Sequence, residues 1–404
     1  MAAPPQDIPA VGTVIDASAV DRWKHLLVPG QQWAIGRGAT LKVTNRRPVP
    51  TERPRVEATE RYSGQVKLSA DKMRLENYVA GYPFPAVDPN DPDAGVKLIY
   101  DYQARTTVDD VDVRNFACQT GSLDPKTGMQ VERDFHSGHF RRMSYVSRVH
   151  VPPMPTWSNP QGIRSRESMY PMNEPFDLKG AGFTYARFID STRPDDSWLY
   201  YPQTKRVRRL STAQRSDGVF GQDIDLDSYA GFSGAPAWSE WRFLGVKTVL
   251  ASMHAVNLPA KWQKSPANFM FEDEWEPREL YVLEGRSRMA NYGFSRRIIY
   301  LDRETYLIPM NEIYDLKGNL WKSEVLAWRF GKKPRPEATR AVYEDELGFM
   351  PAFVLFDMQF NHATRCELPD HEAVGEEGWY YNFGGAEGTT EAVFEISSFI
   401  KGGR

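Results

Sequence analysis

Cysteine is nearly missing: Cys118 and Cys366 are the only two in 404 residues, so no disulfide framework is encoded, and a single bridge across a long loop is left open. No stretch approaches the roughly 18 uninterrupted apolar residues of a membrane-spanning helix. A charge surplus is also lacking, because 50 Lys and Arg stand against 53 Asp and Glu and leave a formal net charge of −3. No general attraction to nucleic acid or another polyanion follows. No glycine-rich phosphate loop follows a strand, and no paired-cysteine metal motif occurs.

Aromatic residues are what the chain has in quantity. They make up 13% of it, with 11 Trp and 19 Tyr, a composition that suits strands, interfaces or the wall of an apolar cavity. Segments such as "FRRMSYVSRVHV", "FTYARFID", "WLYY", "KRVRRL", "EWRFLGVKTVL", "RELYVLEG" and "RRIIYLD" are short, rich in β-branched and aromatic side chains, and punctuated by Gly, Pro, Asp and Asn. They predict a mainly β (α+β) fold of mainly antiparallel sheet. "VKLIYDYQARTTV" and "AVFEISSFI" read as strands of the same kind. "DASAVDRWKHLLVPG" reads as a helix, with Val20, Trp23, Leu26 and Leu27 on one face, Asp16 or Ser18 at its start, and Pro29-Gly30 ending it. A Pro- and Arg-rich arm follows to about residue 60. The expected organisation is therefore an N-terminal helix and arm (1–60), a β unit (61–330) and a C-terminal extension (331–404) on the same sheet. The tetrapeptide Asp-Leu-Lys-Gly occurs at 177–180 and again at 315–318, and both copies read as hairpin turns.

"WLYYPQTKRVRRLS", residues 198–211, interleaves rings with cations and invites a nucleic-acid reading. The neighbourhood removes it. From Arg187 to Asp227 seven cations face seven anions, so no basic surplus remains to release counterions from a polyanion. A strand pair with opposite charges on its wet side and aromatics on its dry side accounts for the composition, and Asp223, Asp225 and Asp227 are expected to share one strand face.

Three chemical motifs fall short. His136 and His139 have a metal-like spacing, but strand flanks send their rings to opposite faces. "DIDLDS" opens like a calcium loop, yet Ser228 stands where Gly is needed and Gly234 where Glu is needed. "GFSGA" around Ser233 approaches a nucleophile elbow, with His254 as a candidate base, but ends in Ala235.

"DDSWLYYPQTKRVRRLSTAQRSDGVFGQDIDLDSY" resembles the signature of the periplasmic outer-membrane lipoprotein-sorting proteins of the LolA/LolB-like superfamily. "RRIIYLDRETYLIPMNEIYDLKGNLWKSEVLAW" looks like the later meander of that superfamily, and "LENYVAGYPFPAVDPNDPDAGVKLIYDY" is similar to its longer branch. The resemblance implies a strongly curved antiparallel half-barrel, apolar on its concave side and covered by helices, that carries a hydrophobic or lipid-like molecule. It also implies cooperation with an inner-membrane exporter of the resistance-nodulation-division type and an outer-membrane protein. A periplasmic location agrees with "MAAPPQDIPA", which reads as a start codon ahead of a trimmed exported chain. Ligand contacts are expected from Trp198, Tyr200, Phe220, Tyr229, Phe232, Trp238 and Trp241, with no catalytic residue, metal or cofactor. The competing readings are a periplasmic enzyme acting on lipids or glycans, and a ligand-free envelope scaffold.

Overall fold

A computed structural model describes residues 7–105, 108–204, 206–332, 346–370, 378–381 and 389–402. The residues "MAAPPQ", on which the expectation of a trimmed export signal rests, lie outside this set, as does Lys205.

Short elements come first: β1 (Val14–Ile15), α1 (Val20–Trp23), α2 (Pro29–Ile35), β2 (Leu41–Val43), α3 (Arg53–Tyr62), β3 (Lys67–Leu68), β4 (Leu75–Glu76) and α4 (Ala94–Ala104). Two long strands follow, β5 (Asp110–Asp124) and β6 (Gly128–Ser144), then β7 (Ile163–Met169), β8 (Met172–Glu174), β9 (Gly182–Phe188), β10 (Asp196–Tyr201) and β11 (Arg206–Leu210). After a 3₁₀-rich stretch come β12 (Ser239–Ala251), β13 (Glu274–Ser287), β14 (Arg296–Asp302), β15 (Met310–Tyr314) and β16 (Leu320–Gly331). The chain closes with β17 (Leu347–Asp357), β18 (His362–Glu367), β19 (Gly378–Tyr381) and α5 (Ile396–Gly402).

Seventeen of the strands form one sheet. Its order across the ladder is β11-β10-β9-β7-β6-β5-β18-β17-β16-β15-β14-β13-β12, every neighbouring pair antiparallel. Only β2, lying parallel to β13, breaks the pattern among the described pairings. The sheet is large and curved and does not close into a barrel. Its two outer strands, β11 and β12, are consecutive in sequence. The connection between them, residues 211–238, therefore runs from one edge of the sheet to the other, and we call it the strap.

Inward-facing contacts hold the strap across the sheet. Asp223 accepts from the Thr364 hydroxyl (2.8 Å) and sits 2.8 Å from His362 Nδ1, and its backbone carbonyl accepts from Lys322 Nζ (2.6 Å). Asn311 Nδ2 donates to the Gly231 carbonyl (2.8 Å). Gly231 has φ +92°, and a Cβ there would meet Ile308 at 2.7 Å, so only glycine lets the strap lie this close to β15. A second glycine does the same for the covering helix. Added at Gly95, a Cβ would stand 2.7 Å from the backbone of Arg242 and Phe243, so α4 packs directly on β12.

Several local expectations are overturned. "VKLIYDYQARTTV" supplies α4, not a strand: its β-branched and aromatic residues are buried on more than one side, between β12 and the strap, and that packing overrides β-propensity. Pro29 opens α2 instead of ending a helix. It occupies the first turn, where its missing N–H is not needed, and the Gln31 side chain accepts from the Val28 amide (3.0 Å). The arm stops at Glu52, because Arg53–Tyr62 is helical with Pro54 in its first turn. "AVFEISSFI" forms a 3₁₀ turn and α5. Both Asp-Leu-Lys-Gly copies end in a glycine of positive φ, +78° at Gly180 and +85° at Gly318, as their turn chemistry requires.

The β10–β11 hairpin forms as expected, with Trp198 opposite Arg209 and Tyr200 opposite Val207. Its faces are not sorted into dry and wet, however. Rings and cations share each face, and Arg209 lies 5.8 Å from the Trp198 ring centroid. Asp223, Asp225 and Asp227 do not form a strand face either. They lie in the strap, where Asp225 and Asp227 are buried. Asp227 accepts from Arg215 Nε (2.6 Å) and from the Tyr292 hydroxyl (2.6 Å), and Asp225 accepts from the Ser228 hydroxyl (2.6 Å).

Candidate functional site

Between the strap, the end of α4 and the middle of the sheet lies a cavity of about 220 Å³. That is room for roughly seven waters at ~30 Å³ each. Alternation along β5 sends Val111 and Val113 inward. At Asn115 the backbone turns left-handed (φ +60°) without shifting the β5–β6 register, and Phe116 joins the same cavity wall. Trp328, Met350 and Phe353 come from β16 and β17 to complete the apolar floor, and Tyr229, Phe232 and Pro236 of the strap form the roof.

Cys118 and Cys366 stand directly opposite each other on β5 and β18, with Cα atoms 4.0 Å apart, and are joined by a disulfide. Two residues along each strand, Phe116 and Leu368 project into the cavity, so the bridge ties together the two strands that present them.

One side of this apolar chamber is cationic. Arg105, Arg142, Arg164 and Arg187 line it, against Glu167 as the single acid among the lining residues. Arg187 is tied down: its guanidinium donates to Asp195 (2.9 and 3.2 Å) and to the Ser233 carbonyl (2.7 Å). Desolvation opposes its charge, but Asp195 and Tyr185 outweigh that and hold Arg187 above its ordinary pKa. Arg164 is different. In the β7–β9 ladder Ile163 pairs with Phe188 and Ser165 with Arg187, which leaves Arg164 as the extra residue of a β-bulge. Bulges re-aim side chains, and here the bulge places Arg164 on the cavity with Ser165. Burial pushes its pKa below the ordinary arginine value, and neighbouring Arg187 acts in the same direction. Among the described residues neither Arg164 nor Arg142 forms an ion pair with a carboxylate, and the Arg142 Nε is buried without a hydrogen-bond partner.

A second cavity, of about 510 Å³, adjoins the first. The two share Gln103, Val146, Arg164 and Arg187, which therefore stand at the neck between them. The outer chamber mixes charged and polar side chains, Arg74, Asp190, Ser191, Arg193 and Asp195, with apolar ones such as Leu75, Val79, Phe188 and Trp238.

Of the residues expected from sequence, Tyr229 and Phe232 line the inner chamber, and Trp238 lines the outer one. Trp241 packs edge-on against Phe232 (5.3 Å between centroids) in the cluster behind the roof. Phe220 packs on Tyr201 at the far end of the strap. Trp198 and Tyr200 occupy the sheet face opposite Leu199 and Tyr201, which join the central core, and they are not among the lining residues. Reading the sequence missed Val111, Val113, Phe116, Arg142 and Arg164. The alternation "DVDV" signals the first two, whereas nothing local marks a bulge at Arg164.

The enzyme alternative depends on Ser233 and His254, which have separate partners. The Ser233 hydroxyl donates to the Tyr229 carbonyl (2.8 Å), and His254 is paired with Glu276 (2.9 Å) and the Pro48 carbonyl (3.2 Å). His136 and His139, on β6, also diverge: His139 Nδ1 is 2.9 Å from Asp112, and His136 Nε2 is 3.9 Å from Glu174.

A family model described as a protein of unknown function, DUF1329, matches residues 14–386. The chain belongs to the DUF1329 family. No curated protein matches it. Among solved structures, the DUF1329 fold is similar to a Vibrio parahaemolyticus domain named for outer membrane lipoprotein sorting (16% identity, TM-score 0.51, 77% of this chain and 100% of that one). It is equally similar to a DUF1329 family protein from Desulfovibrio piger (16% identity, TM-score 0.50, 78% of this chain and 100% of that one). Identities this low speak to the fold alone. They agree with the curved half-barrel read from the sequence.

Proposed function

We propose that this DUF1329 chain is a periplasmic carrier or binding protein for a hydrophobic, lipid-like ligand, passing it between an inner-membrane exporter and an outer-membrane partner. The observation that supports it is the apolar chamber roofed by the strap and floored by the curved sheet. Burying an alkyl chain there gains about 0.8 kcal/mol per methylene, so partitioning alone drives loading, and no covalent step is needed. The Cys118–Cys366 bridge supports an oxidising compartment. Among the described residues no helix is long and apolar enough to cross a membrane. The hand-off partners rest on the sequence resemblance.

Protein purified from its native envelope, extracted with organic solvent and analysed by mass spectrometry, should yield a bound apolar or amphipathic molecule. Val113→Trp, which fills the chamber from β5, should lower the yield at least about tenfold while the melting temperature holds. An empty extract from wild type, together with no binding of a neutral long-chain probe, overturns the carrier reading.

A further inference from the structure

The cationic neck needs an explanation that an apolar ligand does not supply. Arg164 and Arg142 are half-buried, Arg164 has the Tyr78 hydroxyl as a neighbour, and a guanidinium partly withdrawn from water without a carboxylate partner marks a candidate anion site. Nearby charges do not complete Arg164. Asp195, in the outer chamber's wall, is shared between Arg187 (2.9 Å) and Arg215 (3.2 Å), and Arg215 in turn holds Asp227 (2.6 Å). Those two cations and two anions balance one another. Glu167, the lining acid, accepts from the Tyr185 hydroxyl (2.5 Å) and is not within ion-pair distance of Arg164 or Arg142. Positive charge is therefore left over at the junction of the two chambers.

We propose that the ligand is a single-chain amphiphile with an anionic head, a carboxylate or a phosphate, seated on Arg164 at the neck while its chain fills the inner chamber. This rests on the carrier reading and names the ligand class for the same site. Arg187, fixed by Asp195, lies beside Arg164 on the cavity wall and strengthens the positive field there without competing for a partner. Arg142 adds a second donor deeper on the same wall. The bulge is the structural means: without the extra residue at Arg164, alternation along β7 would send that side chain to the opposite face of the sheet.

The test uses the full chain, stripped of lipid, with four probes: laurate, dodecyl phosphate, dodecanol and inorganic phosphate. The two anionic amphiphiles should bind about tenfold to a hundredfold more tightly than dodecanol, the range expected for one charge-assisted pairing. Arg164→Gln should remove that preference and leave dodecanol within about twofold, while Arg164→Lys retains part of it. Laurate against dodecyl phosphate then identifies which head is preferred. Dodecanol binding as tightly as the anions overturns the head-group assignment and leaves the carrier reading standing. No binding by any amphiphile overturns both. Inorganic phosphate binding as tightly as dodecyl phosphate overturns the amphiphile. Ligand-free Arg164→Gln should melt at or above wild type, since a half-buried cation without a carboxylate partner is removed. A lower melting point together with lost dodecanol binding would assign Arg164 to the fold instead and overturn the proposal.

Discussion

The Tyr102 hydroxyl donates to the Phe232 carbonyl across 2.6 Å, fastening the end of α4 to the roof of the inner chamber. Both side chains also line that chamber, so the latch and the wall are the same residues. Desolvation raises the Tyr102 pKa to about 12, which keeps the phenol protonated and donating over the whole neutral range.

Tyr102→Phe keeps the ring and removes the latch. The orphaned carbonyl should cost about 1–3 kcal/mol. Amides at 229–234 should exchange with deuterium faster than in wild type, and a bound probe should leave about tenfold sooner or more. Unchanged exchange in the strap together with unchanged release would show that the roof does not depend on this bond.

The disulfide restrains the floor. Cys118 and Cys366 are 248 positions apart, so their bridge removes a great deal of freedom from the unfolded chain. The Cys118→Ser, Cys366→Ser double variant should lose about 2–5 kcal/mol in denaturant unfolding. Wild type in strong reductant should match it, because both lack the same tether. A variant as stable as oxidised wild type would mean that the sheet alone sets the floor.

Acidity should strengthen the seat of the strap. Burial raises Glu324, beneath the strap on β16, to about 8, with the negative charge of Asp225 adding to the effect. An unfolded glutamate releases its proton near ~4.3, so between that value and about 8 the native chain holds a proton that the unfolded chain has lost. Stability from this group is therefore full below about pH 4 and declines as pH rises from there towards 8. Glu324→Gln, neutral throughout, should melt close to wild type at about pH 4 and several degrees above it at pH 8. Parallel pH curves for the two proteins would refute the raised pKa.

The hairpins of β9–β11 and of β12–β16 were legible because turn residues and β-branched runs act locally. Position was not legible. Trp198 and Tyr201 are both aromatic and three residues apart, yet which of them turns towards the core depends on which face of the hairpin the rest of the sheet covers. The reading of "VKLIYDYQARTTV" failed for the same reason: Val96 and Ile99 favour strands in isolation, but β12 on one side and the strap on the other select a helix. At the candidate site, Tyr229 and Phe232 were found because their neighbourhood is aromatic. Arg164 was not, since its orientation comes from a pairing slip with β9 that no residue type announces.

The middle of the great sheet is made last. β17, β18 and β19 lie between β16 and β5, so the strands on either side of them are synthesised before the piece that joins them. Until the C-terminal quarter arrives, the nascent molecule is two separate wings, each with an unprotected hydrogen-bonding margin. A chain made N-terminus first thus has no finished keystone until its tail is made, and it commits to its shape only then.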